Sequence, residues 1–194
     1  MSVLLASASP RRRQILAALG IEFETFAANV QELSEGEPDS VVLENARRKA
    51  LAGHEAAGGT TDIVLGADTE VVVSGRVLGK PIDELAARRC LELLSGRPHE
   101  VLGAIVLLEA GGGERSGVAR SRVTFHDLDD RAIALYLASG EWRDRAGGYA
   151  IQGLGSVLVE RLDGDFSNVV GLSIPLLLKL APGLSPIADP EVQV

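Results

Sequence analysis

The chain has 194 residues, of which 46% are hydrophobic, 24% are charged and only 4% are aromatic. This composition is typical of a globular protein, and the length suits one domain, or one domain with two lobes. Nineteen basic residues against 27 acidic ones give a formal charge of −8, which argues against a protein that coats nucleic acid but allows a small anionic ligand where basic residues are concentrated.

The sequence shows no sign of secretion or membrane insertion. The opening MSVLLAS has no basic residue before its apolar run, which is the reverse of a secretory signal. The run NVVGLSIPLLLKL is too short, and too broken by glycine and proline, to span a bilayer. The single cysteine, Cys90, excludes an internal disulfide and lies in a pattern typical of a small buried apolar residue. We therefore expect a cytoplasmic protein that acts without a membrane.

The first half of the chain alternates strand-like and helix-like segments. SVLLAS predicts a buried strand, SPRRRQILAALG a helix bounded by its serine and its glycine, and IEFETFAANV a second strand. Asp39 is the candidate cap of a helix that runs to about Ala57. Two strand-like runs, Ile63–Leu65 and Glu70–Val73, then lead to a hairpin turn at SGR.

The second half continues the mixture. Asp83 and Asp129 predict the starts of two helices, DELAARRCLELLSG and DDRAIALYLAS, and the segment between these helices predicts two long antiparallel strands joined at GGG. A polar, glycine-rich loop, a strand and a last helix, SIPLLLKLA, follow. We expect one domain over residues 1–181 and a C-terminal tail at 182–194. This order of elements predicts an α/β fold with a mixed sheet.

Three consecutive arginines lie at the start of the first predicted helix, where the helix dipole disfavours each cation by roughly 0.3–1 kcal/mol. A helix N-terminus offers unpaired N–H groups to an anion, and arginine adds bidentate recognition of phosphate. We therefore interpret Arg11 and Arg12 as ligands of a phosphate group, and Arg13 as a solvated residue. The alternative is that they pair with surface acids such as Glu22 and Glu24.

Three further segments are candidates for chemistry. In LGADTEV, Asp68 and Thr69 follow a strand-like run, and a carboxylate there suits a metal ligand or a general base, although an ordinary turn is the alternative. Lys80 lies between a glycine and a proline, and its sequence context favours a role in the site and a position on the surface about equally. In AGGYAIQGLG, the glycines admit a flat ligand and Gln152 can read a base edge, with a mobile surface loop as the alternative.

The remaining polar residues give weaker signals. The three histidines, His54, His99 and His126, lack metal-ligand spacing, so structural roles are favoured. Taken by pattern alone, Glu32 and Lys49 belong to a solvated face. The candidate site therefore consists of carboxylates, lysines and arginines, which are the residues of metal-assisted phosphate chemistry.

Five motifs together resemble the Maf family of nucleoside triphosphate pyrophosphatases, in the same order over nearly the whole chain: LASASPRRRQIL, ENARRKA, VLGADTEVVVSGRVLGKP, AGGYAIQGLG and GDFSNVVGL. The resemblance implies hydrolysis of a nucleoside triphosphate between its α and β phosphates, a house-cleaning reaction that uses a divalent cation, Mg²⁺ or Mn²⁺. It implies an elongated mixed sheet flanked by helices, with two lobes and a cleft, similar to the inosine triphosphate pyrophosphatases. A homodimer is implied by the resemblance alone.

The resemblance also assigns roles to single residues. Asp68 corresponds to the catalytic proton acceptor, and Glu32 and Asp68 correspond to metal ligands. The positions that bind the phosphates correspond to Ser9, Arg11, Arg12, Lys49 and Lys80.

Three positions, Arg11, Thr69 and Gln152, match the subgroup that takes dTTP and UTP. A carboxamide donates and accepts hydrogen bonds, which suits a uracil or thymine edge, whereas the carboxylate found there in 7-methyl-GTP-preferring members only accepts. Modified pyrimidine triphosphates fit the same hypothesis. The alternatives are a 7-methyl-GTP pyrophosphatase and a regulator of cell division that senses nucleotide without turnover. Asp68 favours an enzyme, because a pure binder needs no carboxylate beside phosphates.

Overall fold

The computed structural model describes residues 1–185, and its central feature is a seven-stranded mixed sheet. The strands are β1 (Val3–Ala6), β2 (Glu24–Thr25), β3 (Ile63–Val73), β4 (Arg76–Leu78), β5 (Pro98–Glu109), β6 (Glu114–Phe125) and β7 (Val159–Asp163). Their order is β2-β1-β3-β5-β6-β7, with β4 paired to β3. β1 is parallel to β2 and β3, and the pairs from β3 to β7 are antiparallel. The predicted mixed α/β fold is confirmed.

Helices flank this sheet. The α-helices of the described chain are α1 (Pro10–Ala18), α2 (Pro38–Ala57), α3 (Glu84–Leu94), α4 (Asp130–Ser139), α5 (Phe166–Val170) and α6 (Ile174–Leu180). Asp83 and Asp129 cap α3 and α4 as predicted, each accepting a backbone N–H at 2.7 Å. None of these helices is both long and apolar enough to cross a membrane.

Two predictions for residues 21–39 are wrong. Glu37, and not Asp39, caps α2 by accepting the N–H of Ser40 at 3.2 Å. Asp39 lies in the first turn and pairs instead with Arg120 of β6 at 2.8 Å. The predicted strand over IEFETFAANV shrinks to the two residues of β2, because only these pair with β1.

Three apolar clusters form the core. On one face of the sheet, α2 packs through Val42, Ala46 and Ala50. On the other face, Leu16 of α1 and Leu177 of α6 pack with inward-facing leucines of β1, β3 and β5, and Leu184 joins them. The third cluster joins α3 and α4 to the ends of β3, β5 and β6. Within the predicted tail, residues 182–184 form a 3₁₀ turn, whereas residues 186–194 lie outside the described chain.

β3 continues through Asp68, which corrects the prediction that Asp68 follows the end of a strand. A β-carbon at Gly66 would lie 2.3 Å from the carbonyl oxygen of Ala46 and 2.6 Å from the amide nitrogen of Ala50. Gly66 therefore does not interrupt the strand; it lets α2 approach β3 closely. Because β3 is buried on both faces, it shows no polar alternation that would have revealed its length.

The half-buried Cys90 lies on α3, and burial raises the pKa of its thiol. A raised pKa disfavours the thiolate. This agrees with an apolar role rather than a nucleophilic one.

Candidate active site

A cavity of about 490 Å³ opens beside the middle of β3. All nine residues assigned from the sequence line it: Ser9, Arg11, Arg12, Glu32, Lys49, Asp68, Thr69, Lys80 and Gln152. Six basic and three acidic side chains line the cavity, although the whole chain carries a formal charge of −8. The local charge therefore favours an anionic ligand.

Two sets of residues form most of the lining. We define the sheet wall as the polar lining side chains on α1, α2 and β3, namely Arg11, Arg12, Lys49, Asp68 and Thr69. We define the loop wall as the lining residues between 141 and 155.

In the sheet wall, Lys49 joins two carboxylates. Its Nζ lies 2.5 Å from Oδ1 of Asp68 and 2.6 Å from Oε1 of Glu32. This contact follows from the close approach of α2 to β3 at Gly66. Asp68 is 6% exposed, and its Oδ2 is buried without a hydrogen-bond partner. One oxygen of Asp68 is thus fixed, and the other is available for a proton or a cation.

Glu32 comes from an irregular segment that α2 holds in place. The amide of Asn45 accepts the N–H of Leu33 at 2.7 Å and donates to the carbonyl of Leu33 at 3.0 Å. Burial opposes ionisation of Glu32, but the hydrogen bond from Lys49 and the charges of Lys49 and Lys80 outweigh it, so the pKa of Glu32 lies below its usual value. Glu32 is therefore held as a carboxylate beside Asp68.

Arg12 is buried and ties three segments together. It donates to the carbonyl of Gly171 at 2.9 Å, to Oγ of Ser7 at 3.1 Å and to Oγ1 of Thr69 at 3.1 Å. The hydroxyl of Thr69 in turn donates to Gly171 at 3.2 Å. Burial lowers the pKa of Arg12, although nearby carboxylates, chiefly Asp68, oppose this. Two N–H donors of the guanidinium remain for a ligand.

The N-terminus of α1 keeps its donors free. Ser9 occupies the N-cap position, but its hydroxyl accepts no hydrogen bond from the helix, and the first turn has no acidic residue. Nη1 of Arg11 is buried without a partner, whereas Arg13 is exposed as predicted. This helix start therefore presents unpaired donors to an anion, as its sequence indicates.

Sequence reasoning gave no role to Glu70, which is only 8% exposed and forms no hydrogen bond or ion pair with the described residues. It lies on the same face of β3 as Asp68. Burial, then the charges of Asp68 and Glu32, raise the pKa of Glu70 to about 8 against the opposing effect of Lys49 and Lys80. Glu70 is therefore largely protonated at neutral pH. The sequence signal that could have identified Glu70 was an acidic residue directly before the three valines of EVVV.

The loop wall contains three lining residues that sequence reasoning missed: Arg143, Asp144 and Arg145. The signal was two arginines directly before a glycine cluster. Asp144 has φ of +58°, a left-handed conformation that is uncommon outside glycine. The segment was interpreted only as a polar loop because nothing local shows which cavity it faces.

Side chains behind the loop wall hold its backbone. The two carboxylate oxygens of Glu141 accept the N–H groups of Leu154 and Gly155 at 3.0 and 3.1 Å. The hydroxyl of Tyr136 accepts the N–H of Ala150 at 3.0 Å. These hydrogen bonds hold the backbone of the loop beside the cavity.

An aromatic contact adds a further support. The hydroxyl of Tyr149 lies 2.8 Å from Nε2 of His99, and both rings pack edge-to-face with Phe125. Burial lowers the pKa of His99 to about 4, so its imidazole is neutral at ordinary pH. His99 thus has the structural role expected, directly behind a residue that lines the cavity.

The carboxylates of Asp68 and Glu32 suit a divalent cation that takes its remaining ligands from a substrate. In residues 1–185, no group of three or more His, Cys, Asp or Glu side chains is arranged to hold a metal alone. The unpartnered, buried Oδ2 of Asp68 and the nearby Glu32 are hard oxygen donors. Mg²⁺ is commonly bound by one or two carboxylates plus water and phosphate oxygens, so the two residues fit such an ion.

The chain has clear relatives among known proteins. The family model described as Maf-like protein matches residues 2–183. The chain is 44% identical over 178 residues to a dTTP/UTP pyrophosphatase of Thermococcus gammatolerans, covering 92% of this chain and 94% of the relative. It is 42% identical over 182 residues to a dTTP/UTP pyrophosphatase of Deinococcus radiodurans, covering 93% and 92%. The Staphylococcus aureus Ham1 structure is similar only weakly, with a TM-score of 0.47 and 12% identity over 96% of this chain and 94% of that one.

Proposed function

We propose that this protein, which belongs to the family of Maf-like proteins, hydrolyses dTTP and UTP to the nucleoside monophosphate and pyrophosphate. One observation carries the proposal: a buried carboxylate, Asp68, has one unpartnered oxygen in a cavity whose charged lining residues are mostly basic. Basic residues bind a polyphosphate, and a carboxylate among them is useful where a proton must be moved. The names of the relatives support the pyrimidine substrates.

In the proposed reaction, a water molecule attacks a phosphorus atom of the α–β anhydride. The oxygen of the water bonds to phosphorus as the anhydride bond breaks, and the carboxylate of Asp68 accepts the proton. Lys49 holds Oδ1 at 2.5 Å and so fixes the orientation of the base. Ser9, Arg11, Arg12 and Lys80 bind the phosphates and stabilise the charge that develops on the leaving group.

Asp68 and Glu32 would hold a divalent cation, Mg²⁺ or Mn²⁺, whose charge neutralises phosphate oxygens when it is bound. The fixed position of Glu32, through Asn45 on α2, keeps both carboxylates at one point of the cavity. Lys49 compensates their mutual repulsion.

The proposed base pocket uses Arg11, Thr69 and Gln152. Gln152 precedes the 3₁₀ helix at 153–158, and its carboxamide can pair with the donor and acceptor edge of uracil or thymine. The hydroxyl of Thr69 already donates its proton to the carbonyl of Gly171. Thr69 would therefore contribute to the base pocket as a hydrogen-bond acceptor and by positioning Arg12.

The test measures pyrophosphate release from dTTP, UTP, CTP, GTP and 7-methyl-GTP with magnesium or manganese. Wild type is compared with Asp68→Asn, which should lose turnover while keeping its fold. Asp144→Asn is the matched control, because Asp144 lines the same cavity and asparagine tolerates its left-handed backbone. It should stay within about threefold of wild type, a change worth under 1 kcal/mol.

Each outcome decides between functions. Turnover of dTTP and UTP that is lost only in Asp68→Asn supports the proposed enzyme. Binding of dTTP without release of pyrophosphate would favour a nucleotide-sensing regulator. Cleavage of 7-methyl-GTP instead would show that Thr69 and Gln152 do not select a pyrimidine.

We also propose that the protein works in the cytoplasm on free nucleotides rather than nucleic acid, in keeping with its formal charge of −8. The homodimer stays a prediction that sedimentation of the full chain would test.

A further inference from the structure

Arg145 has a guanidinium that the protein satisfies only in part. Its Nε donates to the carbonyl of Glu141 at 3.3 Å, and its other four N–H groups have no partner among the described residues. Arg145 forms no ion pair with any residue in the described range 1–185. Burial lowers the pKa of Arg145, yet a guanidinium stays charged at neutral pH. A half-buried cation that faces a cavity without a carboxylate partner is suited to an anionic ligand.

The turn after Arg145 is fastened to the loop that carries Lys80. The N–H of Gly147 donates to the carbonyl of Gly79 at 3.1 Å. Gly147 has φ of +65°, and a β-carbon there would lie 2.9 Å from Val71, so only glycine permits this approach to β3. Two cations from distant parts of the sequence, Lys80 and Arg145, thus line the same cavity, and one backbone hydrogen bond links the loops that carry them.

Other cations of the cavity are already engaged. Lys49 bonds to two carboxylates, and Arg12 donates to three protein acceptors. Arg11, whose Nη1 has no partner, already has a role in the proposed function, both with the phosphates and in the base pocket. Arg143 is exposed, and its guanidinium lies 4.6 Å from the ring centroid of Trp142. Lys80 and Arg145 are therefore two further cations that line the cavity and keep most of their donors free of partners among residues 1–185.

We infer that Arg145 binds the diphosphate part of the substrate together with Lys80. This inference rests on the proposed function. A guanidinium fork can donate two parallel hydrogen bonds to a phosphate, whereas Lys80 supplies a point charge. Because Arg145 belongs to the same loop as Gln152, binding of the diphosphate also contributes to the position of the loop wall.

The test is calorimetric binding of inorganic pyrophosphate in the presence of Mg²⁺, which needs no turnover. Arg145→Gln should weaken binding by about 10-fold or more, as expected for a charge-assisted hydrogen bond. Arg145→Lys should recover part of the loss because it keeps the charge without the fork. Arg143→Gln is the matched control and should bind pyrophosphate within about threefold of wild type.

A structural role for Arg145 makes a different prediction. If it only holds the carbonyl of Glu141, Arg145→Gln lowers the melting temperature and leaves pyrophosphate affinity unchanged, which overturns the inference. Should Arg145→Gln fail to fold, Arg145→Lys decides, and wild-type affinity in that variant overturns the inference.

The same variants separate this inference from the function. If wild type turns over dTTP and Arg145→Gln keeps full pyrophosphate affinity, the inference is wrong and the function stands. If wild type cleaves no nucleotide but Arg145→Gln still weakens pyrophosphate binding, the diphosphate site stands and the function is wrong.

Discussion

The sheet wall and the loop wall are stabilised in different ways. In the sheet wall, backbone groups pair within α2 and between β3 and its neighbouring strands, so the side chains are free to pair with one another, as Lys49 does with Asp68 at 2.5 Å. In the loop wall, the backbone has few such partners, and side chains behind it, Glu141 and Tyr136, accept N–H groups of the loop. Substitutions in the sheet wall should therefore change chemistry, whereas substitutions behind the loop wall should change shape and stability.

The largest effect is expected for Lys49→Met in the sheet wall. This change leaves Asp68 and Glu32 without their shared cation in a mostly buried site. Removing one partner of a buried ion pair typically costs about 3–5 kcal/mol, and loss of the fixed base orientation should lower kcat/KM by about 100-fold or more. Steady-state kinetics and urea denaturation measure the two effects.

Lys179→Met on α6 is the matched control, since Lys179 is exposed and forms no ion pair in the described chain. It should behave as wild type. Normal turnover by Lys49→Met would mean that Asp68 needs no positioning by Lys49, and the contrast between the walls would fail.

The next effect concerns Glu70, which lies on the same face of β3 as Asp68 of the sheet wall. Its pKa is about 8 in the folded protein against an ordinary value of 4.5, so the folded state keeps its proton longer than the unfolded state does. The resulting stability is fully present below about pH 4.5 and is lost as the pH rises to about 8. Glu70→Gln cannot ionise and therefore avoids this loss. The difference in the free energy of unfolding between Glu70→Gln and wild type should be larger at pH 9 than at pH 5, by on the order of 3 kcal/mol.

Urea denaturation across this pH range, with EDTA present, measures the difference. Glu24→Gln is the control, because Glu24 is exposed on β2. Parallel pH curves for wild type and Glu70→Gln would show that Glu70 ionises normally in the folded protein.

Most residues of the sheet wall were predictable singly, Lys49 only through the family resemblance, but their contacts were not. The arginines at the start of α1 conflict with the helix dipole, and that local conflict indicated a ligand. The hydrogen bond between Lys49 and Asp68 joins residues 19 positions apart. It depends on Gly66, which lets α2 approach β3 closely. In the strand pattern, this glycine is visible only as an interruption of the apolar run. The run 21–30 misled because alternation alone does not supply a pairing partner.

The loop wall was less predictable still. Its glycines and Gln152 indicated a ligand site, but the supports come from elsewhere in the chain. His99, for example, lies 50 residues from Tyr149, to which it is hydrogen-bonded. No periodicity relates such residues, so only the fold brings them together.

A moderate effect is expected for Glu141→Gln. Both carboxylate oxygens accept backbone N–H groups, and glutamine replaces one acceptor with a donor. The free energy of unfolding should fall by about 2 kcal/mol, and the preference for dTTP over CTP in kcat/KM should decrease because Gln152 shifts. Glu160→Gln on β7, an exposed position, is the control. A variant that loses catalysis of all nucleotides equally would place Glu141 in the chemistry instead.

The smallest effect is expected for Tyr149→Phe. The hydroxyl of Tyr149 bonds to His99, and the ring, which phenylalanine keeps, packs on Phe125. The variant should lose about 1 kcal/mol of unfolding free energy because His99 loses a hydrogen-bond partner, while kcat for dTTP stays within about twofold. Tyr136→Phe also loses one hydrogen bond, to Ala150, and should match it in stability. A drop of 10-fold or more in kcat for Tyr149→Phe alone would show that its hydroxyl takes part in the reaction, and the division between a reactive sheet wall and a supporting loop wall would no longer hold.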